Sequence, residues 1–395
     1  MDVEKIKTES DRYLDENLTD LWEIAQQVHC NPELAYHEYM ACQLQCDYLA
    51  KKGFEVKRNI AGLDTAFVAK YGNGKPTIAI LSEYDALPEL GHGCGHNLIC
   101  TSALGAGIIA KKFLEENPQN GTLLVIGTPA EESGGGKIQM LKEKVFDDVD
   151  AVIMQHPTSD LTRLAGECMS SMRMHFEFIG KAAHAGSHPD EGINALSSAN
   201  LFVVASNMWR QQFKGVVHLS TIIDQGGVST GQIPAYASVL CSLSAFNLKE
   251  LKNNLDRLVK CAKCCAEAMG CEFKYEITEG YQGRVPNAVL SNSCRKELEK
   301  LNEPLLDGMP YDFGGEDVGN VSRIIPVCMP YVTIHPEYKI SNHTPKFREL
   351  ANSDKGLHCL EIASKAMGRT VIEWFVNPSI IDQAKQELKE RLEKE

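Results

Sequence analysis

Residues 82–97 of the chain read Ser82-Glu83-Tyr84-Asp85-Ala86-Leu87-Pro88-Glu89-Leu90-Gly91-His92-Gly93-Cys94-Gly95-His96-Asn97. This stretch sets acidic side chains, two histidines and one cysteine among glycines. Glycine lets the backbone approach a bound ion closely and adopt positive φ where a turn requires it. We therefore interpret the stretch as half of a metal site, and we expect other parts of the chain to supply the remaining ligands.

Short apolar segments followed by candidate metal ligands recur along the first half of the chain. Three are predicted as buried strands: 77–81 before Glu83 and Asp85, 122–126 before Glu131 and Glu132, and 150–154 before His156. Helical patterns separate them, which gives the βαβαβ order of a parallel α/β sheet. Because ligands collect outside the carboxyl ends of such strands, we expect these side chains to meet at one edge.

A second domain is predicted from a change of pattern after residue 169. Residues 170–280 follow a βαββαβ order, which is typical of a ferredoxin-like α+β unit. We therefore assign 1–169 and 281–395 to an α/β catalytic domain and 170–280 to an inserted lid domain. Helical spacing of apolar residues also predicts one helix over 4–28 and a closing helix over 354–367.

Composition excludes several classes of partner. The chain has 395 residues and a formal charge of −13, which argues against nucleic acid and anionic membrane surfaces, since Lys and Arg clusters bind both. We find no run of about 18 apolar residues and no apolar leader, so we expect a cytoplasmic protein without a membrane partner. The 14 cysteines are scattered, and we interpret most of them as reduced, buried thiols.

The ligand types favour a two-metal site. Carboxylates, imidazoles and one thiolate suit Zn²⁺ best, and Mn²⁺, Co²⁺ or Ni²⁺ also fit. Two ions roughly 3.5–4 Å apart need about five or six protein ligands with positions left open for water and substrate. The residues that satisfy this number are Cys94, His96, Glu132, His156 and one later histidine.

The adjacent acids Glu131 and Glu132 are expected to have different roles, because neighbouring side chains at a strand end point in different directions. We assign Glu132 to metal binding. Glu131 is then the general base that takes a proton from the attacking water and later protonates the leaving amine. Asp85 is expected to accept a hydrogen bond from a ligand imidazole such as His96 and to fix its tautomer.

Four ordered motifs carry a resemblance to a known family: Glu83-Tyr84-Asp85-Ala86-Leu87-Pro88, Gly91-His92-Gly93-Cys94-Gly95-His96-Asn97, Thr128-Pro129-Ala130-Glu131-Glu132-Ser133-Gly134-Gly135-Gly136-Lys137, and Gln155-His156-Pro157. The chain resembles the M20 family of metallopeptidases over nearly its whole length. The most similar branch is the amidohydrolases, which includes aminobenzoyl-glutamate hydrolases, indole-acetyl-amino-acid hydrolases and dipeptidases of β-alanyl or basic dipeptides.

The resemblance implies a zinc-peptidase-like catalytic domain, whose mixed sheet is flanked by helices, and cleavage of an N-acyl amino acid or dipeptide. It implies Cys94 as bridging ligand, with His96, Glu132 and His156 as terminal ligands. It adds His343 as the fifth ligand, through Asn342-His343-Thr344-Pro345. In this family the lid also pairs two subunits as a homodimer. A lid histidine matching His184 then reaches the partner's site and stabilises the oxyanion.

Some assignments have rivals within the sequence. His188 competes with His184, while His335 and His358 compete with His343. The chain also departs from the family where Gly231 stands in place of a usual lid asparagine, and a frequent arginine is missing near Ser244. Both groups usually help to hold the substrate, so either the substrate is unusual or Gln232 substitutes.

Two other functions compete with the metallohydrolase. The first is a thiol-nucleophile hydrolase, in which Cys94 attacks with His96 or His92 as base. It explains neither the paired acids nor His156. The second is a relative that binds metal without catalysing a reaction. Gly231 and the missing arginine near Ser244 suggest it, whereas the presence of the predicted general base, Glu131, argues against it.

Overall fold

Residues 2–395 are described by a computed structural model of the chain, and contacts divide them into two units. The first unit runs up to Glu167 and also contains Arg284–Asp312 and Glu316–Lys394. The second unit contains Cys168–Gly283 and Phe313–Gly315. Along the sequence, the second unit is therefore an insertion into the first.

The elements follow one another in three blocks. Before the insertion lie α1 (Val3–Asp15), α2 (Leu18–Cys30), α3 (Tyr39–Lys51), β1 (Glu55–Ile60), β2 (Leu63–Gly72), β3 (Thr77–Ser82), α4 (His96–Glu116), β4 (Thr122–Gly127), α5 (Gly136–Lys142), β5 (Ala151–Ile153), β6 (His156–Thr158) and β7 (Arg163–Leu164). The insertion holds β8 (Ser170–Ile179), α6 (Ala195–Met208), β9 (Val217–Gln225), β10 (Tyr236–Ala245), α7 (Leu248–Ala268) and β11 (Glu272–Glu279). After it come α8 (Ala288–Lys300), α9 (Val318–Ser322), β12 (Val327–Cys328), β13 (Pro330–Thr333), α10 (Pro345–Ala351), α11 (Asp354–Val376) and α12 (Ser379–Glu393).

A six-stranded mixed sheet with helices packed on it forms the centre of the first unit. Its order is β1-β2-β4-β3-β5-β12, parallel from β4 to β12 and antiparallel from β1 to β4. Every residue of β3 is buried, as expected of a central parallel strand covered on both faces. The predicted mixed α/β architecture is confirmed, and β3 and β4 end at the same edge.

A small three-stranded sheet, β6-β13-β7, corrects one detail of the prediction. His156 was expected to follow the third strand of the main sheet directly. That strand, β5, ends at Ile153, and His156 instead begins β6, which pairs in parallel with β13. Strand propensity reports an extended, buried segment and does not say which sheet will accept it.

Helix α4 lies in the core, and its first two residues, His96 and Asn97, are the last two of the stretch 82–97. It is long and apolar enough to pass for a membrane span by length and composition, but 94% of that window is buried inside the protein. A Cβ at Gly105 would lie 2.3 Å from Ser364 Oγ of α11, and one at Gly368 of α11 would lie 2.5 Å from Ile109. These glycines therefore allow α4 and α11 to pack closely.

The termini of the first unit differ from the prediction. The single helix expected over 4–28 is two helices, α1 and α2, because the chain breaks at Glu16 and Asn17. The side chain of Asn17 donates to the Tyr13 carbonyl at 2.7 Å, a local bond that competes with helix continuation. The apolar spacing runs across this break, so periodicity alone could not detect it. Helix α11 is also longer than predicted and ends at Val376.

The second unit has the βαββαβ order predicted from sequence. Its antiparallel sheet has the order β11-β8-β10-β9, which is the strand arrangement of a ferredoxin-like unit. Alternate residues of β8 are buried, and Phe176 and Phe178 pack with Phe202 of α6. Strand β9 is an edge of this sheet.

Candidate metal centre

Backbone geometry at Gly95 positions Cys94 and His96. Gly95 has φ of +79° and precedes the first residue of α4, and a Cβ there would lie 2.6 Å from the Pro157 ring. The left-handed conformation and the close approach of Pro157 both require glycine. Cys94 and His96 are consequently buried on either side of this turn.

Two imidazoles at the centre have defined tautomers. His96 Nδ1 lies 3.2 Å from Asp85 Oδ1, and His156 Nδ1 lies 2.7 Å from the Pro157 carbonyl oxygen. Because a carboxylate and a carbonyl can only accept, both Nδ1 atoms carry a proton, and in a neutral ring the Nε2 atom presents a lone pair. Burial lowers the pKa of His96, but its hydrogen bonds to Asp85 and Cys94 outweigh burial and raise that pKa well above its ordinary value, so a metal ion binding at His96 Nε2 displaces a proton. Burial lowers the pKa of His156 to about 4, so its imidazole is neutral at pH 7 and able to bind metal.

The Nε2 atoms of these imidazoles converge with a thiol and two carboxyl groups. Cys94 Sγ lies 3.3 Å from His156 Nε2. Nε2 of His96 lies 3.7 Å from Glu132 Oε1 and 3.9 Å from Glu131 Oε2. Neither His96 Nε2 nor Glu132 Oε1 has a hydrogen-bond partner within residues 2–395, although both atoms are buried. Buried polar atoms are rarely left unpaired unless another group, such as an ion, satisfies them.

The last predicted ligand, His343, also reaches this cluster. Its Nε2 lies 3.5 Å from Glu132 Oε1, and its ligand atom lies within 4.8 Å of those of Cys94 and Glu132. His343 has φ of +57°, a strained conformation for a non-glycine residue, and its backbone N–H donates to the Gly93 carbonyl at 2.9 Å. The side chain of His343 is 48% exposed, so this predicted ligand is accessible to solvent.

The rival histidines lie elsewhere. His335 packs its ring 4.0 Å from that of Tyr338, and His358 lies 3.9 Å from Glu303. His92 is buried and stacks on His29 at 6.2 Å. Neither His335, His358 nor His92 belongs to the metal-binding groups found within the described part of the chain.

The loop after β4 presents Glu131 and Glu132 to the centre. The backbone N–H of Glu132 donates to Asp85 Oδ2 at 2.9 Å, so Asp85 contacts both the His96 ring and this loop. Burial, with the negative charges of Glu83 and Asp317, raises the pKa of Glu131 well above its ordinary value. A carboxyl group with a raised pKa is suited to hold and return a proton near neutral pH.

A buried ion triad beside the centre was not predicted. Lys137 Nζ lies 2.5 Å from Glu83 Oε1 and 2.6 Å from Asp317 Oδ1, and its backbone N–H donates to Asp317 Oδ2 at 3.0 Å. Burial opposes the charge of Lys137, but attraction to Asp317 and Glu83 outweighs it and raises its pKa. Lys137 was visible in the motif after the three glycines, whereas no sequence signal marked Asp317.

A stack across the small sheet was also missed. Tyr331 of β13 is in register with His156 of β6 on one side and Arg163 of β7 on the other. The Tyr331 ring lies 5.1 Å from the His156 ring, and the Arg163 guanidinium lies 4.1 Å from the centre of the Tyr331 ring. This stack packs against the ring of a predicted ligand, and contacts of this kind orient ligand imidazoles in metal sites.

The remaining predicted residue, His184, belongs to the second unit. It is exposed, and its Nδ1 accepts from the backbone N–H groups of Gly186 and Ser187 at 3.2 and 3.0 Å. Its Nε2 is therefore the proton-bearing nitrogen of the neutral ring and is available as a donor. His184 also forms an isolated β-bridge with Gln232, beside Gly231. His188 is likewise exposed and lies 3.9 Å from Glu191.

The centre fits a pair of divalent ions. One thiol, three imidazoles and two carboxyl groups offer ligand atoms in three overlapping groups: Cys94 with His96 and His156, Cys94 with Glu132 and His343, and His96 with Glu131 and Glu132. Shared members such as Cys94 and His96 are what a two-ion site with a bridging ligand requires. Mixed nitrogen, sulfur and oxygen donors match the preferences of Zn²⁺ and related ions.

Comparisons with known proteins agree with this chemistry. A family model described as Peptidase family M20/M25/M40 matches residues 79–366. The chain is 32% identical to the Xaa-Arg dipeptidase of Mus musculus, over 100% of this chain and 94% of that protein. It is 33% identical to a polypeptide of the p-aminobenzoyl-glutamate hydrolase of Escherichia coli K12, over 76% of this chain and 64% of the relative. A Bacillus subtilis structure titled a dinuclear metal binding peptidase from the M20 family superposes with a TM-score of 0.73 at 19% identity, covering 92% of this chain and 99% of that one.

Proposed function

The chain belongs to peptidase family M20/M25/M40, and we propose that it hydrolyses the amide bond of an N-acyl amino acid or a dipeptide at a two-ion centre. The observation that carries this proposal is the convergence of ligand atoms at one site, two of which are buried without a hydrogen-bond partner. His96 Nε2 and Glu132 Oε1 lie 3.7 Å apart, too far for a hydrogen bond, and neither atom has a hydrogen-bond partner among the described residues.

Five residues would hold the ions. They are Cys94, His96, Glu132, His156 and His343, whose ligand atoms fall in overlapping groups. The family resemblance implies that Cys94 would be the ligand shared by both ions. Bound divalent ions supply a water of lowered pKa and polarise the scissile carbonyl. Zn²⁺ is the ion that this donor set suits best, and Mn²⁺, Co²⁺ and Ni²⁺ are alternatives to be compared in the same assay.

Glu131 carries out the proton transfers in this proposal. Its Oε2 lies 3.9 Å from His96 Nε2, at the point where the ligand atoms converge. As a base Glu131 takes the proton of the attacking water, and as an acid it gives that proton to the leaving amine nitrogen. Asp85 keeps the Nε2 lone pair of His96 directed inward by accepting from Nδ1.

The relatives suggest the class of substrate. One is named for a dipeptide ending in arginine and another for aminobenzoyl-glutamate, and both names describe an amide beside an amino acid with a free carboxylate. We expect the same amide position here. The acyl side and the amino acid are to be found with a panel of N-acyl amino acids, β-alanyl and basic dipeptides, and aminobenzoyl-glutamate.

We also propose a homodimer formed through the second unit. Its edge strand β9 exposes Ile222, and α6 exposes Leu201, Val204 and Met208, the last at 74%. An unpaired strand edge beside exposed apolar side chains is suited to pairing with a second copy. In the dimer, His184 would donate from Nε2 to the oxyanion in the partner's site. Light scattering tests the dimer, and H184A should lower kcat without changing bound metal.

A thiol nucleophile is not favoured by the site. Burial raises the pKa of the Cys94 thiol to about 12, so the thiol holds its proton at pH 7. A nucleophilic cysteine needs a lowered pKa and an available base. The Nε2 atom of His156 lies 3.3 Å from Cys94 Sγ, and both atoms belong to one metal-binding group. In this proposal both side chains therefore bind metal, and His156 does not act as a base for Cys94.

Replacement of Glu131 by glutamine tests the proposal. E131Q should keep the bound metal content of the wild type and lose about 100- to 10,000-fold in kcat, the usual contribution of a general base. E132Q is the matched variant, which should lose metal as well as activity. If E131Q lost its metal and E132Q kept it, the two roles would be exchanged. Turnover by E131Q at the wild-type rate would refute the mechanism.

A further inference from the structure

Glu38 is a fully buried carboxyl group outside the metal centre, and no step of the proposed reaction uses it. It lies just before α3, and its side chain has 0% exposure. Its Oε1 accepts two backbone N–H groups, from Tyr36 and from Ala130, each at 2.9 Å. Its Oε2 accepts from the Thr65 hydroxyl at 2.8 Å. Three separate segments of the chain therefore meet at one side chain.

Both residues that donate their N–H groups to Glu38 have strained backbones. Tyr36 has φ of +64° and Ala130 has φ of +62°. Residues other than glycine rarely adopt this region, and they persist there only when surrounding contacts hold them. Such strain often occurs at functional sites. Ala130 directly precedes Glu131, so the φ angle of Ala130 affects the position and direction of the Glu131 side chain.

The loop that carries the two acids is held on the other side as well. Asp85 Oδ2 accepts from the Glu132 N–H at 2.9 Å, so the carboxyl groups of Glu38 and Asp85 hold the residue before Glu131 and the residue after it. The Tyr36 hydroxyl donates to the Gly134 carbonyl at 2.9 Å, and a Cβ on Gly134 would meet the Tyr36 ring at 2.4 Å. The segment from Tyr36 to Glu38 thus contacts the loop at two places, Ala130 and Gly134.

We propose that Glu38 is a positioning residue for catalysis, which holds Ala130 in its left-handed conformation and so sets the direction of the Glu131 carboxyl group. The inference rests on the proposed role of Glu131 as general base. Glu38 belongs to none of the metal-binding groups found among the described residues. Its effect is transmitted through one backbone N–H group, and it should appear in kcat rather than in metal binding or KM.

Two substitutions at Glu38 separate hydrogen bonding from charge. E38A removes the acceptor and leaves the N–H groups of Tyr36 and Ala130 without it. E38Q keeps an acceptor oxygen at the same place, and its amide can donate to the Thr65 hydroxyl. Burial raises the pKa of Glu38 to about 7, so the site favours the uncharged form of this carboxyl group. The uncharged amide of E38Q should therefore be tolerated there.

The experiment compares kcat, KM, bound metal and amide hydrogen exchange for wild type, E38A and E38Q. We expect E38A to lose about 100-fold in kcat, as for a displacement of about 1 Å, with KM and bound metal unchanged. Exchange at the amides of residues 128–135 should rise in E38A. E38Q should stay within about threefold of the wild type in kcat and keep its protection.

A matched control removes a buried acid elsewhere in the same unit. Glu297 is 2% exposed and accepts from Lys7 Nζ at 2.8 Å. E297A should lower stability and leave kcat and exchange in the loop unchanged. If E38A does not accumulate in a folded form, E38D takes its place, because its carboxylate is one methylene too short to reach both N–H groups.

Wild-type kcat in E38A, or equal losses in E38A and E38Q, would overturn the proposal. E131Q is measured in parallel so that the two hypotheses fail separately. If E131Q keeps full turnover, the role of Glu131 is wrong, and the exchange data still report whether Glu38 holds Ala130. If E131Q is inactive and E38A is fully active with a protected loop, the role of Glu38 is wrong.

Discussion

Replacing Lys137 with methionine should be among the most destabilising single changes in the first unit. Methionine keeps an unbranched side chain of similar length and removes the ammonium group. Lys137, Glu83 and Asp317 are each at most 1% exposed, and Lys137 Nζ lies 2.5 Å from one carboxylate and 2.6 Å from the other. The variant therefore leaves two carboxylates buried beside each other without their cation.

The magnitude follows from the burial of these groups. Removing one partner of a buried ion pair costs about 3–5 kcal/mol, because the remaining charge is left without compensation. Lys137 serves two partners, so we expect a loss of about 5 kcal/mol. That is a third or more of the free energy of unfolding of a typical protein, which is roughly 5–15 kcal/mol.

The assay is urea unfolding in buffer with a chelator, monitored by circular dichroism. A second substitution, D317N, should change stability in opposite directions in the two backgrounds. In the wild-type background D317N should destabilise the protein by about 1–3 kcal/mol, because Lys137 loses one hydrogen-bonded charge. In the K137M background D317N should instead stabilise it, because one of the two uncompensated carboxylates disappears.

An exposed ion pair provides the control. Lys385 Nζ lies 2.6 Å from Asp150 Oδ1, but the Lys385 side chain is 47% exposed. K385M should therefore change stability by no more than about 1 kcal/mol. The reasoning about the triad is refuted if K137M resembles K385M, or if D317N destabilises both backgrounds equally.

Three further predictions concern the centre and its surroundings. Y331L removes the ring stacked 5.1 Å from His156 and should weaken metal binding by about 10- to 100-fold in a competition assay with a chelator; unchanged affinity would contradict the role of the stack. The pKa of Glu38 is raised from 4.5 to about 7 in the folded protein. Between these pH values Glu38 ionises in the unfolded chain but stays protonated in the folded protein. The contribution of Glu38 to the free energy of unfolding therefore falls as the pH rises from 4.5 to 7. E38Q lacks this group, so the wild type should lose about 3 kcal/mol relative to E38Q between pH 4.5 and pH 7, and parallel curves from urea unfolding would count against it. Removal of divalent ions should abolish turnover and lower the thermal midpoint, and added Zn²⁺, Mn²⁺ or Co²⁺ should restore both, whereas full activity in the metal-free protein would exclude a metallohydrolase.

Much of the fold could be predicted because its signals are local. Apolar runs ending in candidate ligands identified β3 and β4, and period-two alternation identified β8. The break between α1 and α2 was missed, since apolar spacing continues through Asn17 and only its side-chain bond to Tyr13 shows the interruption. The small sheet was missed because β6 and β7 contain three and two residues, too few for a periodic pattern.

By itself the sequence identified the family and the candidate ligands, because metal chemistry needs particular residue types and glycines at short, fixed spacings. The tertiary structure decided which groups surround them. It brought Asp317 to Lys137 across 180 residues, Ala130 to Glu38 across 92, and Tyr331 to His156. Such pairs depend on how distant segments pack, and a side chain carries no local mark of a distant partner. The stretch from Glu83 to His96 therefore indicates the metal centre, while the packing of distant segments determines how its acids are held.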